Sequence, residues 1–229
     1  LMATGTKAAA FGFMIPLAFI LPVQATGMVA AVALLTMAAG NLAALVQTNL
    51  KRMMAYSGIA HAGTILLVVV AYLASGHNGD AHQAGYNAAL FYLGAYLFTS
   101  TGTFGLMAML EREGEDKLTL AGMRGLAQRR PVVASAMTLF MLSLGGIPMT
   151  GGFFGKWFVF VQLVEQDMIG VAVLGALMSV IALGYYLRVI VTMWMQPLDD
   201  ASDANVAAPQ ALPASIATFV CALGVLAMG

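Results

Sequence analysis

Gly145-Gly-Ile-Pro-Met-Thr-Gly-Gly-Phe-Phe-Gly-Lys156 interrupts an apolar run that extends from Pro131 to about Val164. A helix of about 20 residues suffices to cross the hydrocarbon core of a bilayer. This run is longer than that and is broken near 145–155 by five glycines and a proline. Irregular backbone at membrane depth is tolerated where it is buried in protein or lines a water-filled cavity. A charge at such a place marks a functional site by default. A broken helix ending on a lysine therefore reads as part of an ion path.

The rest of the composition agrees with a membrane setting. Sixty-one per cent of the 229 residues are hydrophobic and 9% are charged, and the mean hydropathy is +0.88. The fold class is an all-α polytopic membrane protein. Seven apolar segments are expected, at 2–21, 28–46, 52–74, 86–110, 131–164, 168–195 and 211–229, the fifth of them discontinuous. They make one membrane domain over 1–229. Leu1 is not a methionine and no basic stretch precedes the first segment, so that segment is not a signal peptide. The pattern opens in mid-course and stops at Gly229 without a polar tail, as a fragment of a larger subunit would.

Zero net charge leaves no basic stripe to follow phosphates, which argues against nucleic acid as a partner. A single cysteine, Cys221, excludes a disulfide framework and thiolate metal sites. The 17 methionines are read as fillers of helix-packing gaps. No nucleotide, haem or iron–sulfur motif occurs, so the chain carries no redox chemistry and binds no cofactor of its own. His77 and His82 flank Asp80 in a glycine-rich polar loop without a fourth ligand, and no metal site is assigned there.

Basic residues set the orientation. Lys51 and Arg52 fall between the second and third segments, and Arg112, Lys117, Arg124, Arg129 and Arg130 between the fourth and fifth. By the positive-inside rule the connections near 47–52, 111–130 and 196–210 face the cytoplasm. The acidic loop near 199–203 counts little in this rule. Glu111 to Lys117 reads as a solvated loop, and the semi-apolar stretch from Leu118 to Leu126 as a segment along the membrane surface.

Three cations remain inside apolar segments: Lys7, Lys156 and Arg188. All ten acidic residues lie in connections or at segment ends. Either another helix supplies the counter-charge, or the lysines spend time neutral, because burial favours the uncharged amine. Lys156 follows the break and is the first candidate for a switchable proton carrier. Lys7 is balanced between snorkelling to the surface and a deeper role. His61 lies near mid-depth; histidine titrates near neutral pH and suits a relay, with a plain helix–helix hydrogen bond as the equal alternative. Arg188, after Tyr185-Tyr186, reads as a snorkelling anchor among interfacial tyrosines.

One longer stretch carries a resemblance: Gly40-Asn-Leu-Ala-Ala-Leu-Val-Gln-Thr-Asn-Leu-Lys-Arg-Met-Met-Ala-Tyr-Ser-Gly-Ile-Ala-His-Ala-Gly63. It resembles the antiporter-like membrane subunits of proton-pumping NADH:quinone oxidoreductase, respiratory complex I, and of the Mrp cation/proton antiporters. Gly146-Ile-Pro-Met-Thr-Gly-Gly-Phe-Phe-Gly-Lys-Trp-Phe158 and Gly184-Tyr-Tyr-Leu-Arg-Val189 look closest to the subunit N branch, the counterpart of mitochondrial chain 2. The resemblance covers essentially the whole chain and implies its placement in the last seven of fourteen helices. It places Lys7 on the eighth helix and Lys156 on the discontinuous twelfth, within the second of two inverted five-helix repeats. It implies a proton-translocating subunit in the bacterial inner membrane, relaying protons through Lys7, Lys156 and His61. Other membrane-arm subunits and the lipid bilayer are the implied partners, with NADH, FMN, iron–sulfur clusters and quinone held elsewhere in the complex. The orientation read from the basic residues agrees with that of the family. An Mrp-type sodium or potassium/proton antiporter subunit and a non-transporting assembly scaffold stand as alternatives.

Overall fold

The structure, a computed structural model, describes residues 20–76, 79–111, 118–197 and 212–229. The first expected segment, 2–21, lies almost wholly outside the described residues. Helix α1 spans Thr26–Leu45, α2 Leu50–Ala74, α3 Gly79–Glu111 and the one-turn α4 Leu126–Arg129. Then come α5 (Pro131–Gly145), α6 (Gly151–Glu165), α7 (Ile169–Met195) and α8 (Leu212–Ala227). Among the described residues no strand forms; Asn49 and Thr119 make an isolated antiparallel bridge.

Four helical stretches, Val23–Leu45, Leu50–Ala74, Gln83–Glu111 and Ile169–Met195, are long and apolar enough to cross a membrane. At 1.5 Å per residue α5 and α6 are each about 22 Å long, so neither spans about 30 Å of hydrocarbon alone. The break between them is narrower than its glycines suggest. Gly151, Gly152 and Gly155 are already helical, and only Gly146 to Thr150 depart from helix.

Helix α2 is the axis of the bundle. It is apolar on all sides, and 78% of its most apolar window is buried, against 28% for α7. Side chain Asn49 starts it by accepting the backbone N–H groups of Lys51 (2.9 Å) and Arg52 (3.3 Å). Helix α1 presses closely on it through small residues, as membrane helices do. A Cβ on Gly40 would lie 2.6 Å from the Ala60 nitrogen, and one on Gly63 2.7 Å from the Ala33 oxygen.

Two apolar clusters fill the interior. One, with Leu50, Met53, Leu106, Met137 and Phe140, lies toward the end that carries the basic connections. The other, with Ala33, Ile65, Leu67, Val159 and Leu163, lies toward the opposite end. The basic connections are tied into one face of the bundle. Leu120 N donates to Thr48 O at 2.8 Å, Lys51 pairs with Glu111, and Arg124 Nε donates to Gln196 Oε1 at 3.1 Å. The stretch expected along the membrane surface turns Leu118, Met123 and Leu126 into the core. Its turns are held by Arg129, which donates to the carbonyls of Gly122 (3.2 Å) and Arg124 (3.0 Å).

Candidate functional site

A helix ending at Gly145 leaves its last four carbonyls without intrahelical partners. Here each of them has one. Gly146 turns left-handed at φ 82°, a conformation glycine adopts without steric cost. That turn lets Gly146 N–H reach the carbonyls of Leu142 and Ser143, both at 3.0 Å, and Ile147 N–H reach Leu142 as well. The remaining two carbonyls accept from across the break. Lys156 Nζ donates to Leu144 O at 2.8 Å and to Gly145 O at 3.2 Å.

Lys156 is only 7% exposed, and these carbonyls take the place of the carboxylate that the sequence lacks. The negative end of the α5 dipole adds to the attraction. Arg188 does something similar at the basic end, donating to the Gln47 carbonyl just beyond α1. It is half-buried against that helix end and does not simply reach for water.

The other lip of the break is held by Ser143. Its hydroxyl accepts Gly152 N–H at 3.3 Å and lies 3.2 Å from Thr99 Oγ1. Contact here is so close that a Cβ on Gly152 would lie 1.8 Å from the Ser143 carbonyl oxygen.

His61, also 7% exposed, is bound at both ring nitrogens. Nδ1 lies 2.6 Å from Tyr92 Oη and Nε2 lies 3.1 Å from Tyr186 Oη. Tyr186 Oη in turn meets Ser57 Oγ. Tyr185 Oη donates to Asn41 Oδ1 at 3.2 Å, and Asn41 Nδ2 donates to the Met178 carbonyl at 2.8 Å. The reading of Tyr185 and Tyr186 as interfacial anchors is therefore corrected. Both are fully buried, and Tyr185 sits ten residues before the end of α7, about 15 Å deep at 1.5 Å per residue.

Two small cavities meet at this centre. One, about 10 Å³ and so roomy enough for a single water, is lined by His61, Tyr92, Tyr96, Thr99, Ser143 and Lys156 among others. The second, also about 10 Å³, is lined by Asn41, Thr64, Ser179 and Tyr185, again with His61 and Lys156. Lys156 and His61 thus stand in both walls. An amine, an imidazole and a ring of hydroxyls can hold and pass protons. Among the described residues no group of three His, Cys, Asp or Glu side chains is placed to hold a metal.

Lys7 and His77 lie outside the described residues, as do the side chains of Asp80 and His82. Sequence reading found Lys156 and His61, which the structure brings to one place. It missed Asn41, Tyr92, Tyr185 and Tyr186. A polar residue such as Asn41 in a long apolar segment was a usable signal; the tyrosines carried none.

The chain matches the family model described as NADH:quinone oxidoreductase/Mrp antiporter, transmembrane, over residues 1–182. It is 43% identical over 240 residues to NADH-quinone oxidoreductase subunit N of Salinibacter ruber, a match that takes in all of this chain and 46% of that one. To subunit N of Myxococcus xanthus it is 41% identical over 230 residues, covering 89% of this chain and 44% of the relative. The chain therefore spans about half the length of the curated relatives it matches.

Among solved structures, a chain of respiratory complex I from Thermus thermophilus with bound aureothin superposes with a TM-score of 0.68 at 30% identity. That superposition covers 88% of this chain and 43% of the other. An Mrp complex chain from a Dietzia species shares the fold, with a TM-score of 0.71 at 20% identity over 90% of this chain and 44% of that one. The protein is an all-helical membrane protein, and the chain belongs to the NADH:quinone oxidoreductase/Mrp antiporter transmembrane family.

Proposed function

We propose that this chain is the C-terminal half of a subunit N-like protein and relays protons across the membrane arm of NADH:quinone oxidoreductase. Protons pass by way of Lys156 and His61, with bound water in the two cavities and Lys7 as a further station. Quinone reduction in a neighbouring module drives the changes of protonation. NADH, FMN, iron–sulfur clusters and quinone belong to other subunits, and the partners of this chain are its membrane-arm neighbours and the lipid. Seven membrane helices, one of them the discontinuous pair α5 and α6, form one transporter-type repeat with flanking helices. The setting is the bacterial inner membrane, with the basic face of the bundle toward the cytoplasm.

The observation that carries this reading is the placement of Lys156. It is buried, held by the carbonyls of a broken helix instead of by a carboxylate, and shares both cavities with His61. Intramembrane cations placed in this way mark ion and proton pathways, and the subunit N relatives supply the redox partner.

In the assembled complex, Lys156→Ala is expected to abolish quinone-coupled proton pumping. Lys156→Arg is expected to fail as well, since a guanidinium does not release its proton. Wild-type pumping in both variants would sink the proposal. The family's Mrp branch favours a second reading, sodium or potassium/proton exchange without a redox partner. Vesicles that exchange protons for a cation gradient in the absence of NADH and quinone would decide for it.

A further inference from the structure

His61 is the middle of a hydrogen-bonded line, Tyr92–His61–Tyr186–Ser57, drawn from α3, α2 and α7. A neutral imidazole has one N–H and one acceptor nitrogen, and each hydroxyl has one proton to give. The line can be fully satisfied in two ways. In the first, Tyr92 donates to Nδ1, Nε2–H donates to Tyr186, and Tyr186 donates to Ser57. In the second every bond is reversed, and His61 is the other tautomer.

The line also has a direction. Ser57 lies one turn nearer the basic end of α2 than His61, about 6 Å along the axis. On the other side of His61, Ile65 to Ala71 is an unbroken apolar stretch, about 10 Å long. Between Ser57 and Lys51 stand Met53 and Met54, both buried, whose flexible side chains can part for water more readily than branched ones.

We propose that Tyr186 is a relay residue, carrying protons between His61 and Ser57 and so connecting the Lys156 cavity toward the basic face. This rests on the proton-relay reading above. In one passage water on the basic side protonates Ser57 as the old Ser57 O–H breaks and a new Tyr186 O–H forms. The old Tyr186 O–H breaks as Nε2–H forms, Nδ1–H breaks as a new Tyr92 O–H forms, and the old Tyr92 proton passes through cavity water to the Lys156 amine. Each residue of the line gains one proton and loses one, and one proton moves from the basic side to Lys156. Rotation of the hydroxyls and exchange of the imidazole tautomer restore the starting arrangement. The other titratable groups of the cluster are Tyr96 on α3, Lys156 on α6 and Tyr185 on α7.

The test uses the whole complex in vesicles, reading protons moved per NADH oxidised and the solvent deuterium isotope effect. Tyr186→Phe keeps the ring and removes the relay. Pumping should fall about a hundredfold, the low end of what a positioned proton donor contributes. Ser57→Ala leaves every ring in place and should lower pumping in the same direction, which keeps the test decisive if the phenylalanine variant fails to assemble. A difluorotyrosine at 186 retains the hydroxyl but makes it more acidic. It should restore pumping with a pH profile displaced toward acid, which a hydroxyl needed only for packing would not do. If Tyr186→Phe and Ser57→Ala pump normally while Lys156→Ala does not, the relay is overturned and the proposed function stands. If Lys156→Ala also pumps normally, the proposed function falls first.

Discussion

Lys156 Nζ donates to Leu144 O at 2.8 Å from the far side of the helix break, so one ammonium group both closes the end of α5 and sits at the centre of the polar cluster. Its attraction comes from backbone carbonyls at the negative end of a helix, which do not titrate. The lysine can therefore gain or lose a proton without a carboxylate competing for it. Loss of the charge also weakens the cap, so protonation and the geometry of the break are linked through the same hydrogen bonds.

Lys156→Met should consequently cost stability as well as transport. It leaves the carbonyls of Leu144 and Gly145 unpaired in an apolar setting, at about 1–3 kcal/mol for each group. Lys156→Arg, which still donates, should recover most of the stability and none of the transport. Thermal unfolding of the purified complex, read beside pumping, checks the separation; equal stability of wild type and the methionine variant would refute it.

Gly152→Ala should be the most damaging glycine substitution at the break. Its new Cβ would lie 1.8 Å from the Ser143 carbonyl oxygen, a backbone atom that cannot step aside without reopening the break. Gly146→Ala meets the left-handed φ of 82°, a strain of roughly 1–2 kcal/mol. Gly170→Ala, in α7 with nothing within 4 Å, should be neutral or stabilising by up to about 1 kcal/mol. Assembly yields of the three variants should rank in that order, with Gly170→Ala highest.

Asn41 and Tyr185 join α1 to α7 through a buried hydrogen bond, and Asn41 also holds the Met178 carbonyl. Asn41→Ala and Tyr185→Phe should therefore be non-additive. A double-mutant cycle on unfolding should return a coupling of about 0.5–3 kcal/mol, the range for residues within one network. Simple additivity would show that the two side chains act independently.

The Lys51–Glu111 pair stands at the basic end with both side chains about two-fifths exposed. Exposed pairs contribute about 0–1 kcal/mol. Lys51→Met should leave pumping intact and lower the melting temperature slightly, with the difference shrinking as salt is raised. A large loss of pumping would place Lys51 in the proton route instead.

Hydropathy, the glycine-proline break and the distribution of ten basic residues are properties of local sequence. They were enough to establish a helical membrane protein, to locate the interruption before Lys156, and to group the basic connections. Local sequence also showed that no carboxylate accompanies the buried cations. It could not show what does, because the answer is a set of backbone carbonyls exposed only once α5 ends and α6 folds back beside it. Nor could it place Tyr185 and Tyr186. Ser57 and Tyr186 are 129 residues apart and Asn41 and Tyr185 are 144 apart, and α2, apolar on every side, gives no periodic hint of which face it turns to the site. Sequence by itself determined that this is a helical membrane protein with an interruption just before Lys156. Only the tertiary packing of α1, α2, α3 and α7 around the break decided which polar groups meet, because each partner is supplied by a different helix.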